Sequence, residues 1–243
     1  MNRSDVPGRR PSTLRPVATR RYRQYCAIAK ALDVLGDRWA ILIVRELLFG
    51  PLRYSDLEAA LPGIATDMLA TRLRELETAG VISRVVDDAK QFELTPRGRG
   101  LRPVLEALAV WGLGELTGRS PDEAFRAKWM ALPISGMVRP DRATGLSLSA
   151  KFVVDGDELT MRVEDGRLSF SRMDGPADVT IEGPADALIA AVTTPGSRAA
   201  QRLRVGGESR KVDELVYILG LTDTPPGARP DVRGADAWED PHR

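Results

Sequence analysis

The sequence predicts an α+β chain in two units: a helical unit closed by one β-hairpin over residues 25–119, then a strand-rich unit over 120–220. Three observations carry this. Helix-spaced apolar residues dominate the first half, strict alternation takes over from Phe152, and the charge divides with them. Residues 1–119 hold 19 Lys/Arg against 14 Asp/Glu, whereas 120–243 hold 16 against 20. An arm over 1–24 and an irregular tail over 221–243, rich in proline and charge, flank the two units.

The arm carries seven arginines against a single Asp5, the pattern of a solvated tail or of a basic arm that meets phosphate. "CAIAKALDVLG" (26–36) reads as a helix with Ile28, Leu32 and Leu35 in register and Gly36 as its stop. "DRWAILIVRELLFG" (37–50) is a strongly apolar helix with Asp37 as N-cap, ended by Gly50-Pro51. Ser55 and Glu58 suggest a capping box for a short third helix. After Pro62-Gly63 a fourth helix begins near Thr66, with Leu69, Leu73 and Leu76 on one face. Two extended runs around "DDAK" (87–90) predict a hairpin, and Thr95-Pro96 starts a long helix striped by Leu101, Leu105, Leu108 and Trp111. Three helices, a hairpin and a long helix are the order of a winged helix-turn-helix module, whose recognition helix precedes the hairpin.

In the second unit "SPDEAF" predicts a helix start with Ser120 as cap, Pro121 at the first position and Glu123 at the third. Alternating strands follow, with "DGD", "EDG" and "DGPAD" as turns. Helices over 184–193 and 208–220, with the strand-like "LRVGG" before the second, close the unit.

Composition narrows the chemistry. The only histidine is His242 and the only cysteine is Cys26, so neither a metal cluster nor an internal disulfide is expected. With no phosphate-binding glycine loop and no nucleophile elbow, the expectation is a protein that is not an enzyme and uses no cofactor. No apolar run approaches a membrane span and no signal-peptide core is visible, so a cytoplasmic setting is expected.

Residues 26–112 closely resemble the HxlR family of bacterial winged-helix regulators. The carrying pieces are the cysteine opening the first helix, "LGDRW", "RELLFGPLRYSDL", "LPGI", "LATRLRELETAG" and "ELTPRG", in family order. The resemblance implies a homodimeric, cytoplasmic transcriptional regulator that binds double-stranded operator DNA. It also implies a dimer interface that involves the Leu101–Leu105–Leu108–Trp111 helix and the first helix. The other reading of that stripe is packing between the two domains of one chain. Some family members sense oxidants through a cysteine matching Cys26, while an inert thiol is the commoner case.

Residues 120–220 look, more loosely, like a sterol carrier protein type 2 domain. The carrying piece is "ADVTIEGPADALIAAVTTPGSRAAQRLRVGGESRKVDELVYIL". This implies helices over a mainly antiparallel sheet and an apolar site for a lipid or other hydrophobic molecule. Phe152, Val154, Met161, Val163, Phe170, Leu188, Ile189 and Val192 are its candidate lining, or equally an ordinary filled core.

Base-edge contacts need short or bidentate polar side chains on the first turns of a recognition helix. Thr66, Asp67, Ala70, Thr71 and Arg74 fit, with Arg72 on the flank reaching phosphate or pairing with Glu75. Within that helix Arg72 and Arg74 face Asp67, Glu75 and Glu77, so the helix cannot supply phosphate affinity alone. The candidates for that are Arg20, Arg21 and Arg23 of the arm, Arg53 and Ser55 at the preceding helix start, and Arg84 and Lys90 in the hairpin. A different class also fits the sequence: a lipid-binding carrier whose winged helix serves protein contacts.

Overall fold

The structure, a computed structural model, describes residues 22–116, 118–120, 122–172 and 175–226. Its α and β elements fall into two compact units that divide between Arg99 and Gly100. The composition change in the sequence predicts this boundary at 119/120.

The first unit contains α1 (Ala27–Leu35), α2 (Arg38–Leu47), β1 (Leu52–Arg53), α3 (Tyr54–Ala60), α4 (Thr66–Thr78), β2 (Ile82–Arg84), β3 (Gln91–Leu94) and α5 (Pro96–Arg99). Asp37 caps α2 as its chemistry requires, accepting from the Trp39 N–H at 2.9 Å. The apolar faces of α2, α3 and α4 meet in a core of Ile43, Val44, Leu57, Leu69, Leu73 and Leu76. The three strands form a small antiparallel sheet in the order β1-β3-β2, the hairpin of a wing. Helix α1 departs from expectation. Leu35 is buried, but Ile28 is 72% and Leu32 43% exposed, so its stripe is not core in this chain.

The cap of α3 also differs. Helix α3 starts one residue before Ser55, and Asp56 accepts from the Arg53 N–H at 3.0 Å. Glu58, expected to close a capping box, instead accepts from the Thr66 hydroxyl at 2.9 Å.

The second unit holds α6 (Arg102–Gly112), α7 (Ala131–Met137), α8 (Pro140–Ala143), β4 (Ser147–Val154), β5 (Asp157–Glu164), β6 (Arg167–Ser171), β7 (Val179–Gly183), α9 (Ala185–Thr193), β8 (Arg204–Gly207) and α10 (Ser209–Ile218). Helices α6 and α7 approach closely at Gly136, where a Cβ would lie 2.8 Å from Val110 Cγ2 and 2.9 Å from the Glu106 carbonyl. That packing places α6 with the second unit, not the first. Residues 122–126 are not helical, although Ser120 N–H still reaches Glu123 Oε2 at 2.8 Å. The cap forms without its helix because Arg126 is extended and the Ala127 N–H is drawn to Asp157 Oδ2 at 2.8 Å.

The five-stranded sheet runs β6-β5-β4-β7-β8, with β4–β7 parallel and the other pairings antiparallel. Asp155-Gly156 and Asp165-Gly166 both have positive φ at each residue, the turn that matches hairpin twist. "DGPAD" is no hairpin turn. Strands β6 and β7 are not neighbours in the sheet; β7 lies beside β4. Leu148, Ala150, Phe152 and Val154 of β4 face the core, alternating with Ser149, Lys151 and Val153 on the opposite face. Leu188 of α9 and Leu215 and Ile218 of α10 are buried with them.

Candidate nucleic-acid interface

Helix α4 is seated by Leu69, Leu73 and Leu76, which are 0, 2 and 1% exposed. That leaves Thr66, Asp67 and Arg74 exposed on the opposite side, with Ala70 and Thr71 half-buried between them. The row is internally ordered. Thr71 Oγ1 donates to the Asp67 carbonyl at 2.8 Å, and Arg74 folds along its own helix to the Ala70 carbonyl at 3.2 Å and Thr71 Oγ1 at 3.3 Å. Its entry is braced from α3, since the Tyr54 hydroxyl donates to the Thr66 carbonyl at 2.7 Å while Thr66 Oγ1 reaches Glu58. This cross-brace fixes the turn between the two helices, and nothing in the local spacing of the sequence reveals it.

Arg72 is engaged in structure. It pairs with Asp37 at 3.2 Å and with Glu75, and its side chain is 20% exposed. The intrahelical pair is present, and the second partner ties α4 to the cap of α2. Both terminal nitrogens of the guanidinium are thereby engaged, while its buried Nε has no partner.

In the wing, Arg84 lies 3.9 Å from the Phe92 ring centroid, donates to the Ala89 carbonyl at 3.0 Å and pairs with Glu77 at 3.7 Å. It stiffens the hairpin. Lys90 is exposed at the tip. Between them Asp88 accepts from Gln91 Nε2 at 2.9 Å, from the Lys90 N–H at 3.1 Å and from Arg53 Nη2 at 2.9 Å. The Gln91 side chain first, then the Lys90 N–H and the Arg53 charge, hold its carboxyl below the usual range. Ser55 is exposed beside Arg53.

The Arg53–Asp88 and Arg84–Glu77 pairs link the wing to the start of α3 and the end of α4, and residues 22–99 as a whole carry no charge excess. Residues 22–99 contain 11 Lys/Arg and 11 Asp/Glu, so the whole +5 of residues 1–99 resides in 1–21. Arg20 and Arg21 lie outside the described residues, while Arg23 is exposed.

Cys26 is exposed at the N-cap of α1. The N–H groups of Ala29 and Ile28 stabilise its thiolate and lower its pKa below the ordinary thiol value. Alkylation by iodoacetamide is therefore expected to follow a pH–rate curve with its midpoint below that of free cysteine. A midpoint at or above the free value would show that the helix end does not act on the thiol.

The four residues of the expected dimer stripe are separated by burial. Leu105 is 3% exposed and Leu101 half-buried, whereas Leu108 and Trp111 are 47% and 71% exposed. In the second unit Phe152, Val154, Met161 and Val163 are 2, 0, 0 and 1% exposed, and Leu188 6%. A side chain bordering a water-sized space would show accessible surface, so these side chains fill a core. Phe170, Ile189 and Val192 are half-buried. Among the described residues no group of His, Cys, Asp and Glu could hold a metal ion, and no helix is long and apolar enough to cross a membrane.

A recognition helix seated on three leucines, braced at its entry and flanked by a hairpin wing, defines a winged helix-turn-helix protein. Its lineage is equally plain. The HxlR-like helix-turn-helix family model matches residues 34–119, and the chain belongs to that family. The uncharacterized HTH-type transcriptional regulator YvaP of Bacillus subtilis is 42% identical over 86 residues, covering 34% of this chain and 80% of YvaP. YtcD of the same organism, another uncharacterized HTH-type transcriptional regulator, is 35% identical over 94 residues, 37% of this chain and 75% of its own length. Among solved structures, quinone-bound YodB from B. subtilis aligns at 34% identity over 35% of this chain and 93% of its own, with a TM-score of 0.33.

Proposed function

We propose that this protein regulates transcription as a homodimer bound to operator DNA, with α4 in the major groove and the wing and arm on the phosphate backbone. The ordered polar row Asp67–Thr71–Arg74, opposite a fully buried leucine face, is the observation that carries the reading. Arg74 offers a bidentate donor to guanine, Ala70 and Thr71 a surface for a thymine methyl, and Asp67 an acceptor for cytosine. Thr66 is committed to the α3–α4 brace, and Arg72 to the α2–α4 pair, so both act by placement. Exposed Ile28 and Leu32 on α1, and Leu108 and Trp111 on α6, supply apolar surface that a second copy would cover.

Footprinting on the DNA upstream of the coding region tests this. Two protected half-sites centred about one helical turn (~34 Å) apart are expected for a symmetric dimer. Failure to protect any segment would overturn the reading. In gel-shift titrations Arg74→Ala is expected to cost about 10- to 100-fold on the preferred site and to relax base preference there. Lys90→Ala should weaken all sequences alike and lower the salt slope by about one.

The second unit is assigned the role of an effector domain. A hydrophobic effector acts only by binding the DNA-competent and incompetent forms with different affinity. With Val154, Met161 and Val163 closed in, half-buried Phe170, Ile189 and Val192 are the candidate lining residues that keep accessible surface. A lipid retained in native mass spectra of the purified protein would support this.

A further inference from the structure

Asp88 is an acidic group on a surface that must approach phosphate. Charge alone makes it a liability, yet its carboxylate is the most heavily bonded side chain of the wing. Two of its bonds close the tip: one comes from the Lys90 N–H and one from Gln91. The third reaches Arg53, which precedes it by 35 residues and belongs to the start of α3. Arg53 is thereby held at both ends. Its N–H bonds Asp56 at 3.0 Å, its backbone pairs with Gln91 across β1 and β3, and its Nη2 rests on Asp88 at 2.9 Å. Its side chain stays 54% exposed, so most of the five guanidinium donors remain available.

We propose that Asp88 is a positioning residue for the DNA contact, orienting Arg53 toward a backbone phosphate and fixing the turn that presents Lys90. The inference rests on the reading of this surface as DNA-binding. An arginine already immobilised loses less side-chain freedom when it binds than one that sweeps solvent. The carboxylate takes one donor from Nη2, and the remaining donors stay accessible for a bidentate phosphate contact.

The sign of one substitution separates positioning from plain electrostatics. The full-length protein is titrated with a mixed-sequence duplex of about 30 base pairs, because phosphate contacts do not depend on sequence. Asp87→Asn removes the neighbouring exposed carboxylate and is expected to tighten binding. Asp88→Asn removes the same charge but keeps an acceptor for the tip, and it is expected to weaken binding about fivefold. In an Arg53→Ala background Asp88→Asn is expected to lose that penalty and to tighten binding as Asp87→Asn does. If Asp88→Asn tightens binding with Arg53 in place, or weakens it equally without Arg53, the positioning role is overturned. Wild-type protein that fails to bind duplex DNA at all would instead overturn the functional reading and this inference with it.

Discussion

A chain beginning at Tyr22 is expected to bind duplex DNA at least about 100-fold more weakly than the full protein near physiological salt. Its logarithmic salt dependence should flatten by about five, the release expected from six arginine–phosphate contacts. The reason is arithmetic. Residues 22–99 carry 11 positive and 11 negative side chains, and several of the cations are already paired. Shape and base contacts select a site, but they do not supply the neutralising charge. Residues 1–21 hold six arginines against Asp5. Fluorescence anisotropy across a salt series reads both quantities at once. An unchanged slope in the shortened chain would assign the phosphate contacts to the wing and α3 instead.

Met161→Ala is expected to lower the stability of the second unit by about 3 kcal/mol, read from urea unfolding followed by circular dichroism. Met161 has no accessible surface and stands between Ala150 of β4 and Phe170 of β6 in the sheet register. Truncating it leaves a cavity that a well-packed neighbourhood cannot fully close. If Met161 instead lined a water-filled chamber, truncation would leave no empty cavity and the cost would fall to a partial transfer term of about 1 kcal/mol. The measurement therefore distinguishes a filled core from a binding chamber before any effector is known.

Local chemistry made much of this molecule legible in the sequence. The leucine face of α4, the Asp37 cap and the two Asp-Gly turns follow from residues within seven positions of each other. What stayed hidden joins residues far apart in the chain. The cap of α3 fell on Arg53 because its N–H reaches Asp56, a competition that Ser55 loses. "SPDEAF" contains a sound helix start, but the docking of Ala127 onto Asp157 takes the chain elsewhere. Arg72 could be read as free or paired with Glu75; only the fold brings Asp37 to it. Likewise the apolar stripe of α1 reads as core by spacing and is exposed in the folded chain. A periodic pattern reports that a face will be covered without saying by which surface.

The parallel seat of β7 beside β4 sets an order of assembly. Every element of the winged unit has been synthesised once Arg99 is added. Strand β4, at the centre of the larger sheet, gains its second neighbour only when residues 179–183 arrive. Until then the exposed edge belongs to the middle of the sheet and not to its rim. A chain cut short between β6 and β7 would carry a finished DNA-reading half joined to an open central strand, the edge most prone to pair with another molecule.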